Sequence, residues 1–193
     1  MQVKLILAAG VSLMVCFATI AVWLDRPASR KAAADSAGSV VDASRPQATT
    51  DATAGAIYSA RFTDLEGREH ILGEWQHKLV LINFWATWCA PCKEEMPMLA
   101  KLQENYASHG LKVIGIAADS RLNVANFAKL LPNSYLLIPE EAGAIEFSRR
   151  LGNRLGLLPF TIVIKPGGEV IFTRLGRVTE AEMIELIDKN IEK

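Results

Sequence analysis

LVLINFWATWCAPCKEEMP, residues 79–97, joins two kinds of order at a pair of thiols. Leu79 to Phe84 is almost continuously apolar, the pattern of a strand covered on both faces. Beyond Cys92 the period changes: Met96, Leu99, Leu102 and Tyr106 recur at helical spacing, and Gly110 is placed to stop the element. Cys89 therefore falls where a buried strand gives way to a helix, with Cys92 one turn further on. A helix start leaves backbone N–H groups unpaired and carries the positive end of the dipole, so it favours a thiolate over a thiol. Cys89 is expected to be the attacking sulfur, and Cys92, more enclosed by the helix, to resolve the mixed disulfide. Pro91 fits this placement because a first-turn proline loses no helical hydrogen bond, and Ala90 is small enough to leave the neighbouring sulfur open.

Other uses of two thiols fit less well. Zinc needs two more ligands, yet the third cysteine, Cys16, stands far away and His70, His77 and His109 are scattered, so no metal is expected. A structural disulfide across so small a loop contributes little chain-entropy stabilisation. Copper lacks an evident third ligand. Redox exchange is the favoured reading.

Outward from this stretch, strands and helices alternate. Ala60 to Leu72 carries short extended runs around Glu66 and Gly67, as in a hairpin. Lys112 to Ala118 predicts a second buried strand, Asn123 to Leu131 a helix, Tyr135 to Ile138 a strand and Ala142 to Leu151 a helix. Thr161 to Ile164 and Val170 to Thr173 flank a PGGE turn that favours an antiparallel hairpin. Thr179 with Glu182 forms a capping-box pattern for a last helix with Met183, Ile184, Ile187 and Ile191 on its apolar side. The expected architecture is an α/β sandwich with a mixed central sheet flanked by helices.

Toward the amino terminus the composition changes twice. Leu5 to Leu24 has no ionisable side chain apart from Cys16 and is long enough to span a bilayer. It runs straight into Trp23, Leu24 and Asp25 with no small-residue cleavage site, so an uncleaved anchor over residues 1–24 is expected. Cys16 is preceded by Leu13, Met14 and Val15, which do not suit a lipidated cysteine, and it reads as a small apolar side chain facing lipid. Residues 25–55, rich in Ala, Ser, Thr and Asp, bury too little to offset the entropy of ordering and read as a flexible tether. Residues 56–193 are the right size for one domain. The chain has 193 residues and equal numbers of basic and acidic side chains, so no overall charge draws it to nucleic acid.

NFWATWCAPCKEEMP, Asn83 to Pro97, resembles the thioredoxin superfamily and, more narrowly, the membrane-anchored TlpA-like and ResA-like thiol:disulfide oxidoreductases. The resemblance covers about residues 56–193 and implies the thioredoxin fold, with Cys89 as nucleophile and Cys92 as resolving cysteine. It also implies a cis-proline facing the active site, matched by Leu158–Pro159 just before the strand at Thr161. Leu158 would then pair its backbone with an extended substrate, independently of substrate sequence. Thioredoxin itself has a buried aspartate where Asn83 stands here, whereas these relatives often carry a glutamate three residues after the second cysteine, which is Glu95. Helical spacing brings Glu95 back toward Cys92, so it would take the Cys92 proton directly or through water; the competing reading is a solvated first-turn acid. Pro97, which family members share, should kink the helix. Trp88 is expected on an exposed apolar rim that receives substrate, and Trp85 is equally at home in the core. The long stretch from Asp119 to Pro159 leaves room for the added central strand and helix of such proteins.

A dithiol tethered to a membrane makes most sense outside the cytosol, where substrate disulfides persist. The expected location is the periplasm, although Arg26, Arg30 and Lys31 after the apolar run argue weakly for the opposite orientation. The resemblance implies a reductase of disulfides in exported proteins, with cytochrome c maturation one pathway and a membrane thiol reductase as electron donor. No cofactor beyond the Cys89–Cys92 disulfide is expected. An oxidase or isomerase, or a copper-handling module of the same fold, stays open, because the direction of electron flow depends on a potential that Ala90–Pro91 does not fix. A peroxidase would need a lone attacking cysteine with a threonine and an arginine, which WCAPC does not offer.

Overall fold

The apolar run after Lys78 is the middle strand of a five-stranded mixed sheet in a computed structural model that describes residues 55–131 and 135–191. In chain order the strands are β1 (Arg61–Thr63), β2 (Glu69–Ile71), β3 (Leu79–Trp85), β4 (Leu111–Ala117), β5 (Leu136–Pro139), β6 (Phe160–Ile164) and β7 (Val170–Leu175). The helices are α1 (Ala90–Tyr106), α2 (Arg121–Ala128), α3 (Ala144–Arg150) and α4 (Glu180–Asn190). The sheet runs β5-β4-β3-β6-β7, with β3, β4 and β5 parallel and β6 antiparallel to both β3 and β7. The expected anchor at residues 5–24 and most of the tether, up to residue 54, lie outside the described residues. Among the described residues no helix is long and apolar enough to cross a membrane.

Every residue of β3 is buried, and its side chains alternate between two layers. Leu79, Leu81 and Trp85 join a cluster with Met96, Leu99 and Leu102 of α1 and Met183 and Ile187 of α4. Val80, Ile82 and Phe84 face the other layer, with Phe62 of β1 and Ala144 and Phe147 of α3. Burying each large apolar side chain stabilises the fold by about 1.5–3 kcal/mol. Trp85 is fully buried and belongs to the core. The strand end that precedes the cysteines is thus gripped from both sides.

Gly115 of β4 leaves room for two large side chains that lie over it. A Cβ there would lie 2.8 Å from Tyr135 Cε2 and 3.1 Å from Trp85 Nε1. β1 and β2 form a separate antiparallel hairpin, knitted by the fully buried Asp64 carboxylate. Asp64 accepts from the Arg68 N–H at 2.8 Å and Arg68 Nε at 2.9 Å, and His70 Nε2 lies at 2.8 Å. Burial raises the pKa of this carboxyl, but the His70 and Arg68 hydrogen bonds outweigh it and hold the group below the usual carboxylate range.

Several boundaries differ from the expected ones. Helix α2 starts at Arg121, two residues early, because the Ser120 hydroxyl accepts the Asn123 N–H at 3.3 Å and caps it. It ends at Ala128, and α3 is shorter at both ends than residues 142–151. The segment from Asp119 to Pro159 holds two helices and a strand, the three elements expected over residues 123–131, 135–138 and 142–151. At the last helix only half of the expected capping box forms. Thr179 accepts the Glu182 N–H at 3.3 Å, but the Glu182 carboxylate turns to Arg174 instead of the cap backbone. Helix α1 runs on through Pro97 to Tyr106.

Candidate active site

Cys89 is the N-cap of α1, with φ −88° and ψ 99°, and its sulfur accepts the Cys92 N–H at 3.3 Å. The orphan donor of the first turn therefore points at sulfur, which is the arrangement that favours a thiolate when the pair is reduced. The two cysteines are joined in a disulfide with Cα atoms 5.3 Å apart. Cys92 is fully buried, while Cys89 keeps 6% of its surface. The expected open sulfur is thus largely covered, because Cys89 leans into the same cluster as Ala86 and Cys92. Of the two residues, only Cys89 keeps any contact with solvent. Pro91 sits in the first turn, where its missing N–H costs nothing.

Glu95 is 1% exposed, which removes the solvated reading. One carboxylate oxygen accepts from Asn83 Nδ2 at 2.8 Å and the other from the Val178 N–H at 3.0 Å. Burial pushes its pKa up, and the Val178 and Asn83 hydrogen bonds and the Arg177 charge oppose the shift without cancelling it. Asn83 Nδ2 also donates to Thr161 Oγ1 at 3.0 Å, from the residue directly opposite on β6. Asn83 Oδ1 has no partner among the described residues. Glu94 is exposed and pairs with Arg177 at 2.7 Å.

Two side chains that sequence reasoning missed hold the approaches to the disulfide. Asp119, at the end of β4, accepts from both the N–H and the hydroxyl of Thr87, and so fixes the turn that carries Trp88. It also accepts from the Ser120 N–H at 2.8 Å and Asn123 Nδ2 at 2.7 Å. Burial raises its pKa, but the Thr87, Asn123 and Ser120 hydrogen bonds outweigh that and lower it. Asn153, after α3, is 2% exposed and binds both main-chain groups of Leu157. Neither residue has a sequence signal, because the groups they bind in the loops are largely main chain.

The Leu158–Pro159 peptide is cis, and the Pro159 carbonyl accepts the Gly176 N–H at 2.8 Å. Leu158 packs against the cluster that contains both cysteines. Trp88 is 69% exposed, and Leu155 and Leu157, just ahead of the cis bond, are also exposed. A cleft of about 490 Å³ lined by His77, Leu79, His109 and Lys165 opens at the start of β3, the opposite end from the cysteines. Among the described residues no three His, Cys, Asp or Glu side chains converge as a metal site.

A disulfide at a helix start on the central strand of this sheet, in a chain with a cis X-Pro bond ahead of the next strand, defines a thioredoxin-fold thiol-disulfide oxidoreductase. The chain belongs to the Redoxin family, whose model matches residues 33–187. It is 31% identical over 139 residues to the thiol-disulfide oxidoreductase ResA of Geobacillus thermodenitrificans, covering 69% of this chain and 78% of that one. It is 33% identical over 128 residues to ResA of Bacillus thuringiensis subsp. konkukian, covering 66% and 72%. Among solved structures, a thiol:disulfide interchange protein of Chlorobium tepidum aligns with TM-score 0.60 and 26% identity over 68% of this chain and 92% of that one. A thioredoxin-related protein of Neisseria meningitidis serogroup B aligns with TM-score 0.60 and 30% identity over 67% and 97%.

Proposed function

We propose that the protein reduces disulfides of exported proteins, tethered to the membrane by residues 5–24 and working in the periplasm at the end of the arm 25–55. The observation that carries this reading is the asymmetry of the pair: Cys89 caps the helix and keeps some exposure, while Cys92 lies fully buried one turn on. In the reduced protein the Cys89 thiolate attacks a substrate disulfide, forming a mixed disulfide and expelling one substrate thiolate, which takes a proton from water. Cys92 then gives its proton to Glu95 and attacks Cys89 Sγ. The Cys89–Cys92 bond forms, the second substrate thiolate leaves, and two electrons have passed to the substrate. The oxidised pair is the product of that cycle. A dithiol of a membrane reductase returns the electrons, and cytochrome c maturation is a pathway of this type. Trp88 supplies an apolar rim, and Leu158 beside Pro159 offers main-chain hydrogen bonds to the substrate.

Cys92→Ser should accumulate mixed disulfides through Cys89 in the membrane fraction, and Cys89→Ser should not; the reverse pattern overturns the roles. Equilibration with glutathione or dithiothreitol fixes the direction. A potential of about −270 mV agrees with a reductase, and one of about −120 mV makes the protein an oxidase instead.

A further inference from the structure

The segment just before Pro159 carries a main-chain arrangement that the exchange chemistry alone does not require. Asn153 Nδ2 donates to the Leu157 carbonyl at 2.9 Å, and Asn153 Oδ1 accepts the Leu157 N–H at 3.3 Å. One side-chain amide thus pairs with both polar groups of a single residue, as a neighbouring β-strand would. The amide is itself held: Nδ2 donates to Ser148 Oγ at 3.1 Å, and the Asn153 N–H reaches the Ser148 carbonyl at 3.0 Å. The loop between them fits closely against α3. Gly156 has φ +65°, and a Cβ there would lie 2.9 Å from Arg149 Nη2 and 3.0 Å from Ile145 Cγ2. Asn153 therefore grips Leu157 from a fixed platform.

Asn153 takes both main-chain groups of Leu157 and leaves those of the next residue, Leu158, free of it. Among the described residues neither the N–H nor the C=O of Leu158 has a hydrogen-bond partner. We propose that Asn153 is the positioning residue for substrate recognition: by occupying Leu157 it presents Leu158 as a one-residue β-edge for an extended polypeptide whose cysteine meets Cys89. The partner is a chain recognised through its backbone, flanked by the exposed side chains of Leu155 and Leu157. This rests on the reading of the protein as a reductase of polypeptide disulfides.

The test compares two oxidants of the reduced full-length protein: an unfolded disulfide-bonded polypeptide, and cystamine, which has no peptide backbone. Asn153→Ala should raise KM for the polypeptide about tenfold with kcat little changed, the consequence of losing roughly one well-formed hydrogen-bonded pair. Its rate with cystamine, which reads the sulfur chemistry alone, should stay within about twofold of wild type, far short of that tenfold change. An unchanged polypeptide KM, or equal losses on both oxidants, overturns the proposal. Amide exchange in the oxidised wild-type protein gives a second readout that needs no variant. The Leu157 N–H should be protected and the Leu158 N–H should exchange fast, and protection of Leu158 equal to that of Leu157 overturns the proposal. If the wild-type protein fails to turn over polypeptide disulfides while these amides behave as expected, the functional reading fails instead.

Discussion

Glu95→Gln exchanges a buried carboxyl for an amide of nearly the same shape. The new amide oxygen can keep the Val178 N–H, which Glu95 accepts at 3.0 Å, leaving the new NH2 group facing Asn83. Two donors would then meet. Asn83 can turn its amide over, because Oδ1 has no present partner; that oxygen then accepts from the introduced NH2, and the Thr161 hydroxyl donates into it. The change should therefore cost no more than about 1 kcal/mol of stability at acidic pH. Its effect on exchange is larger under the proposed role of Glu95 as acceptor of the Cys92 proton: without that acceptor, release of substrate from the mixed disulfide should slow about a hundredfold. Stopped-flow measurement of that release, starting from a mixed disulfide on Cys89, gives the rate directly. The pH dependence supplies a second axis. The folded-state pKa of Glu95 is raised, so between the ordinary carboxylate range and the raised value the folded protein holds more protons than the unfolded one. Wild-type stability is fully present below that window and declines as pH rises through it, while the glutamine variant has no such slope. Urea midpoints across pH should thus move in favour of Glu95→Gln on going from acid to neutral. Equal release rates, or a stability difference that does not change with pH, refute the argument.

Three further outcomes follow from contacts described above. Asp119→Ala strips the Thr87 N–H and hydroxyl of their acceptor and should lower stability by about 1–3 kcal/mol; because the Asp119 pKa is lowered, its contribution is present at neutral pH and is lost as pH falls through that lowered value, so the two proteins should converge in acid urea melts. Asp64→Asn should cost about 1.5–3 kcal/mol at neutral pH and progressively less toward acid, by the same sign, and an equal deficit at every pH would contradict the Asp64–Arg68–His70 account. Gly115→Ala forces a methyl to within 2.8 Å of Tyr135 and should destabilise by about 1–3 kcal/mol, read as a lower Tm, with sulfur exchange little changed at temperatures where the protein is folded.

What could be read in advance follows the range of the physics involved. The strand at Leu79 and the helix beyond Cys89 were legible because each writes its own period into consecutive residues, and the cysteine doublet sits where one period replaces the other. The expectation of a cis bond at Leu158–Pro159 came from resemblance alone; no local pattern demands it. Glu95 was suspended between two readings because spacing along a helix says which face a residue shares and not what covers that face. Its cover comes from Asn83, 12 residues away, and Val178, 83 residues away. The start of α2 was missed because Ser120 was not recognised as a cap, and the half-formed box at Thr179 because Arg174 competes for Glu182 from the neighbouring hairpin. Asp119 and Asn153 were invisible for a different reason: the groups they bind include main-chain N–H and C=O groups of Thr87, Ser120 and Leu157 that any sequence would offer.

Asp119 and Asn153 stand near opposite ends of the segment that joins β4 to β6. The first steadies the turn under Trp88, and the second steadies the approach to Pro159. Both jaws around the sulfurs are consequently braced by two polar side chains of the segment between β4 and β6, whereas the sulfurs themselves answer to the strand and helix beneath them. Selectivity and reactivity can then drift independently: a lineage, or an engineer, can vary these two braces to change which clients are grasped while leaving the apolar core of that segment, and the electron transfer, as they were.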